Sequence, residues 1–240
     1  HSLAPEANFT KLAILQRPTS AGLLTKMSKE WEHVSDCLRD HAIFLGQLPY
    51  ILYSYVSMYD AKTIESIMIT MNSVNKCGYC TGLHGELARL SGIPSAETNR
   101  LLACTSYSEA LKVRDTPAVR FAYDFARHDG KNIPKLLKDA KVSDAEKSRV
   151  VALCYFLCWG SFGGNTINSF VFCKRLSLFG MFFTMYYGAL YLLILLTSAL
   201  LKVFPSNVPG IVSSMLGVVL TICAGTFILP LGLIAKVLQY

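Results

Sequence analysis

Apolar residues are spaced in two different ways along this chain. In roughly the first 173 residues they recur at helical intervals between charged positions, and after that they run almost without interruption. In residues 62–74, Ile64, Ile67, Met68 and Met71 follow an i, i+3, i+4, i+7 stripe, the pattern of an amphipathic helix. Residues 24–60 repeat the pattern with Leu38, Ile43 and Leu45, then Leu48, Ile51, Leu52, Tyr55 and Val56, and Pro49 after Gly46 predicts the first turn of a new helix. A helix is expected over Cys77–Leu90, stopped by Ser91-Gly92-Ile93-Pro94, with Ser95 capping a short successor through Cys104. Thr116-Pro117 reads as a cap followed by Pro at the first helical position. Ser143-Asp-Ala-Glu146 reads as a capping box opening a helix through Val150–Trp159. No stretch alternates as a strand, so the fold class is all-α.

The tail differs in kind. Residues 176–201 and 211–235 contain no charged side chain. At 1.5 Å per residue the first is ~39 Å long as a helix, against ~30 Å of bilayer hydrocarbon. Between them, residues 202–210 supply Pro205, Asn207, Pro209 and Gly210, which is turn chemistry. The expectation is a two-helix transmembrane hairpin in contact with the lipid bilayer, its Pro230 tolerated near the end of the second span. Gly217, Ala224 and Gly225 suit either close helix approach or a lipid-facing surface. The chain thus divides into an N-terminal extension (1–34), a helical domain (35–173) and a membrane hairpin (174–240).

Charge follows the same division. The 240 residues include 23 Lys and Arg and 16 Asp and Glu, yet residues 174–240 hold no acid and only Lys174, Arg175, Lys202 and Lys236. The front is therefore near +3 and the tail +4. Three of the four tail cations flank the outer ends of the hairpin, which predicts the helical domain and the C-terminus on the positive-inside face. A 52% hydrophobic, 16% charged composition excludes a disordered chain, a collagen-like chain and a nucleic-acid-binding tail. The chain opens on His1, and Lys11, Arg17, Lys26 and Lys29 interrupt any apolar signal core, as expected of a form matured from an organellar (mitochondrial or plastid) presequence.

The chemistry concentrates in Asn75-Lys-Cys77-Gly-Tyr-Cys80-Thr-Gly-Leu-His84. On a helix, Cys77, Cys80 and His84 fall on one face at i, i+3 and i+7. A helix N-terminus favours a thiolate, and a His one turn on can accept or donate its proton, which is what a dithiol needs to cycle near neutral pH. Two plainer readings stand beside this one: a zinc site, which wants four ligands, and packing thiols. Cys154 and Cys158 lie among Val, Leu, Phe and Trp and read as packing thiols.

Glu65, eleven residues, Cys77, two residues, Cys80, three residues and His84 together spell Glu-x11-Cys-x2-Cys-x3-His. This resembles the signature of the AhpD-like alkylhydroperoxidase branch of the carboxymuconolactone decarboxylase family, over roughly residues 35–170. The resemblance implies an AhpD-like helical fold, a cofactor-free and metal-free peroxidase, Cys77 and Cys80 as the redox pair, and His84 with Glu65 as a proton relay. One thiolate would attack a peroxide, the other would resolve the sulfenic acid, and a dithiol reductant would restore the pair. The best-characterised members carry another His between the cysteines where this chain has Tyr79, so a proton-handling group is missing there. Members form trimers or hexamers, which implies a homo-oligomer. The added hairpin supports a second function class, an accessory subunit that docks among other subunits of a larger organellar membrane complex.

Other features are expected to be structural. Asn8-Phe-Thr10 fits a glycosylation acceptor but sits poorly with a reduced dithiol. His33, His41 and His128 read as isolated surface or cap residues, and Lys131, Lys135, Lys138 and Lys141 as a solvated face. Tyr50, Tyr53, Tyr55 and Tyr59 read as packing, and Cys37, Cys104, Cys173 and Cys223 have no partner by spacing.

Overall fold

The computed structural model of the protein describes residues 29–57, 60–104, 106–171, 177–206, 208 and 210–238; of Ile211 it describes only the backbone. Asn8, Tyr59 and Cys173 lie outside them. The described residues form ten helices and no strand: α1 (Val34–Val56), α2 (Ala61–Asn75), α3 (Gly78–Leu90), α4 (Ser95–Ala103), α5 (Tyr107–Val113), α6 (Pro117–Arg127), α7 (Ile133–Ala140), α8 (Lys147–Val171), α9 (Leu178–Leu201) and α10 (Gly210–Val237). The all-α reading therefore holds.

Local chemistry explains most boundaries. The Thr116 hydroxyl accepts from Val119 N–H at 3.3 Å, with Pro117 at the first helical position of α6. Helix α3 stops at Gly92 (φ 80°), where Ile93 N–H reaches back to the Ala88 carbonyl at 2.9 Å. Three expected boundaries differ. Pro49 lies inside a continuous α1 instead of opening a new helix, costing one backbone hydrogen bond to Leu45 that tertiary packing outweighs. Ser95 is already helical, and Pro94 takes the N-cap position of α4 without a side-chain cap. Ser143 and Glu146 bond side chain to side chain in a turn ahead of α8.

Helix α8 is the central element, packed against α1, α2, α3, α6 and α9. Around it Phe44, Ile51, Met68, Phe121, Phe125 and Leu153 close a core that excludes water from nearly all their surface. Burying side chains of this size contributes about 1.5–3 kcal/mol each.

Among the described residues three helices, not two, are long and apolar enough to cross a membrane: α8, α9 and most of α10 (Val212–Val237). They are not equivalent. The most apolar stretch of α8 is 67% buried inside the protein, against 28% for each of the others. The apolarity of α8 is therefore spent largely on the core, whereas α9 and α10 present Met181, Phe182, Met185, Leu196, Ile222 and Leu233 outward.

The two tail helices pack only sparingly on each other. Helix α9 lies on α3 and α8, and α10 runs along α1. The contact with α1 is antiparallel: Gly217 faces Tyr55, Gly225 faces Leu48, and Gly232 faces Leu45 and the His41 carbonyl. A Cβ at Gly217 would fall within the Tyr55 ring, so this glycine is required by the approach of α1. Gly217 and Gly232 of α10 thus serve close packing on α1.

Candidate functional site

The predicted constellation is built where α2 hands over to α3. Lys76 ends α2 in the left-handed region (φ 58°), turning the chain so that Cys77 becomes the N-cap of α3. Asn72 fixes that turn from both sides. Its side-chain oxygen accepts from Cys77 N–H at 3.1 Å, and its amide donates to the Cys77 carbonyl at 3.2 Å and to the Thr81 hydroxyl. Asn165 of α8 donates to the Asn75 carbonyl at 2.9 Å, pinning the same junction to the central helix.

Cys77 therefore sits where backbone amides converge, and its sulfur accepts from Cys80 N–H at 3.4 Å. The pair is buried and free of any disulfide. The Cys80 thiol is held well above the usual range, chiefly by its hydrogen bond to Cys77, then by burial and the proximity of Cys77 as a charge; a hydrogen bond from Ser161 opposes these. At neutral pH Cys80 therefore keeps its proton.

His84 lies one turn along α3 from Cys80. Its Nδ1 lies 2.9 Å from Oε2 of Glu65 on α2, and both side chains are buried. In a neutral ring that donates from Nδ1 to this carboxylate, Nε2 is the nitrogen left with its lone pair. Cys80 and His84, one turn apart on α3, line a single apolar cavity of ≈ 50 Å³ that is closed by Trp159 and Gly160 of α8, Tyr191 of α9 and Ala224 of α10. The structure thus brings Cys77, Cys80, His84 and Glu65 together. Tyr79 packs its ring edge-on against the cavity-lining Tyr191 at 5.1 Å, and burial raises its phenol above the usual range.

Gly164 of α8 makes room for Cys77, since a Cβ there would lie 2.8 Å from its Sγ, whereas one at Gly160 would meet Cys80 Sγ at 3.9 Å, an ordinary contact. These residues, with Asn72, Ser161 and Tyr191, are the site residues that spacing alone does not reveal. A signal was present for the glycines: Gly160, Gly163 and Gly164 within five residues cost an isolated helix about 1 kcal/mol each and mark a close approach.

The expected surface role of His41 is overturned. It is fully buried between Trp31, Trp159 and Tyr187. Its Nδ1–H donates to the Cys37 carbonyl at 2.6 Å, while Nε2 accepts from the Tyr187 hydroxyl and from Trp159 Nε1–H. Burial lowers its pKa to about 4. His33 and His128 are exposed at helix ends, and Lys131, Lys135, Lys138 and Lys141 form an exposed face as expected. Cys154 and Cys158 are buried packing thiols. Of the tyrosines, Tyr55 is buried while Tyr50 and Tyr53 are exposed, contrary to a packing role for those two. Among the described residues no group of three or more His, Cys, Asp or Glu is placed to hold a metal ion.

Comparisons with protein-family models, with curated proteins and with solved structures found no match for this chain.

Proposed function

We propose that this protein is a membrane-anchored thiol–disulfide oxidoreductase that reduces hydroperoxides, with α9 and α10 as its spans and an AhpD-like arrangement of its helical domain. The observation that carries this reading is the shared cavity of Cys80 and His84, with Glu65 holding the imidazole from behind. Nucleophile, base and orienting carboxylate stand in the order that thiol enzymes use.

Cys80 is the attacking sulfur because it faces the cavity beside His84, whereas Cys77 is walled in by Gly164. As the Cys80 sulfur bonds to the terminal peroxide oxygen, Nε2 of His84 takes the thiol proton. The O–O bond breaks, and the departing alkoxide recovers that proton as an alcohol. Cys80 is left as a sulfenic acid. The sulfur of Cys77 then attacks the Cys80 sulfur, and the S–O bond breaks. The hydroxide leaves with the Cys77 proton as water, and a disulfide remains. The two electrons come from the two sulfurs, and an external dithiol returns them.

With both charged ends of the tail on one side, the chain enters α9 and leaves α10 at the positive-inside face of an organellar membrane, and the helical domain packs along the spans from that side. The test is turnover of tert-butyl hydroperoxide by the detergent-purified chain with dithiothreitol as reductant. Turnover that disappears in Cys80→Ser supports the reading. Turnover unchanged in both Cys77→Ser and Cys80→Ser contradicts it.

A further inference from the structure

The cavity at Cys80 has an unusual position. Its outer wall is made by Leu193 and Ile194 of α9 and by Leu220 and Cys223 of α10. Leu193 is exposed, and Ile194, Leu220 and Cys223 are half-exposed, so the cavity approaches the surface in the gap between two helices that scarcely touch. Leu193 is four residues past the centre of α9, and Cys223 is at the centre of α10. The gap therefore lies within ~6 Å of the middle of both apolar helices, at hydrocarbon depth if they span.

The lining is apolar apart from a few groups, most of them already engaged. Trp159 gives its N–H to His41, and Tyr191 gives its hydroxyl to the Gly160 carbonyl at 2.7 Å. The Cys80 thiol and the His84 ring are what a ligand meets at the inner end. A volume of ≈ 50 Å³ holds about three or four water-sized groups, enough for a hydroperoxide and its nearest carbons but not for a whole lipid. The rest of such a molecule would have to stay outside the gap, against Leu193, Leu220 and the outward faces of α9 and α10. A small aqueous peroxide has no such anchor, and it would have to leave water for an apolar passage without polar partners.

We propose that the gap between α9 and α10 is a lateral port through which an acyl hydroperoxide held in the bilayer presents its peroxide group to Cys80, with Leu193 and Ala224 setting this preference. The proposal rests on the thiol chemistry assigned above and adds its substrate class and entry route. It makes the tail helices part of the site, which a mere anchor would not be.

The experiment uses the full chain in phosphatidylcholine vesicles with dithiothreitol. It compares phosphatidylcholine hydroperoxide in the same bilayer with hydrogen peroxide in the buffer. The wild type is expected to consume the lipid peroxide at least tenfold faster at equal total concentration. Two substitutions narrow the port. Leu193→Trp adds bulk at the exposed rim, where folding tolerates it, and Ala224→Phe fills the interior. Each is expected to lower the ratio of lipid-peroxide to hydrogen-peroxide rates at least fivefold. Leu196→Trp, exposed on α9 but outside the cavity wall, is expected to leave the ratio within twofold.

A wild type that favours neither peroxide, with the ratio unmoved by Leu193→Trp and Ala224→Phe, overturns the port and leaves the thiol mechanism standing. A ratio that falls equally in Leu196→Trp overturns it too, because the effect would belong to the helix surface. Failure of both peroxides to oxidise the wild-type dithiol overturns the underlying reading along with the port, and no variant is needed to see it.

Discussion

Two Cys-x3-His pairs lie on helices of this protein, Cys37–His41 on α1 and Cys80–His84 on α3, and they have opposite fates. In each the imidazole is buried, and a cysteine sits one turn before it. At His41 both ring nitrogens are occupied by groups that hold it still: a carbonyl on Nδ1, and a tyrosine and a tryptophan on Nε2. Burial and the neighbouring Asp40 and Asp36 raise the Cys37 thiol far out of the range in which it would ionise. At His84 a carboxylate holds Nδ1, and the ring borders a cavity that also holds a thiol. The same spacing yields a brace in one place and, in the other, a thiol and an imidazole that line one cavity, the pair proposed above as nucleophile and base. What separates them is the partner on Nδ1 and the presence of space, both supplied by other helices.

The sharpest way to break this contrast is to remove each cysteine. Cys80→Ser is expected to lower hydroperoxide turnover at least ~10³-fold, because serine is far from ionising at neutral pH. Cys37→Ser is expected to leave turnover within twofold in the same assay. Removing the bases comes next. His84→Ala is expected to cost about 10²-fold or more, the usual share of a positioned general base, with raised pH partly restoring the rate as the Cys80 thiol ionises unaided. Equal losses in His84→Ala and His41→Ala, measured on folded protein, would dissolve the distinction between the two histidines.

The structural member of the comparison makes its own prediction, in stability. Unfolded His41 binds a proton below about pH 6.5, whereas the folded protein resists protonation there until about pH 4. Between those values the unfolded state holds more protons, so stability falls as pH is lowered through the window and is unaffected by His41 above it. The full effect is about 3 kcal/mol. Denaturant melts of wild type and His41→Gln from pH 7 to pH 4 isolate it, since Asp40 and other acids titrate in both. The wild type is expected to lose more stability on acidification than the variant.

A smaller effect probes the dithiol itself. Because the hydrogen bond to Cys77 is the largest cause of the raised Cys80 pKa, Cys77→Ala is expected to speed alkylation of Cys80 by iodoacetamide severalfold at pH 8. Unchanged or slower alkylation would show that burial alone governs Cys80.

The contrast between the two pairs also marks how far the sequence could be read. Cys77, Cys80 and His84 were legible because they share one helix face, which local periodicity carries; Glu65 joined them only through the resemblance of the longer spacing to the AhpD-like signature. His41 was misread because Phe44 and Ala42 beside it fit any amphipathic helix, and its partners Trp159 and Tyr187 lie 118 and 146 residues away. The apolar tail was legible as membrane-type helix, but its packing on α1 was not. Nothing in Gly217 or Gly225 names Tyr55 or Leu48 as the surface they must approach. The third apolar helix, α8, was obscured for a related reason: a central core helix and a membrane span draw on the same residues, and only its burial by neighbours tells them apart.

The central claim, that Cys80 attacks and Cys77 resolves, meets its most direct test in a trapped intermediate. Purified Cys77→Ser is treated with one equivalent of hydroperoxide in the presence of dimedone, and its peptides are read by mass spectrometry, with Cys80→Ser handled in parallel. The account predicts a dimedone adduct on Cys80 in the first variant, none on Cys77 in the second, and a Cys77–Cys80 disulfide in the untrapped wild type. An adduct on Cys77 in Cys80→Ser, or two free thiols in the wild type after excess peroxide, would contradict it.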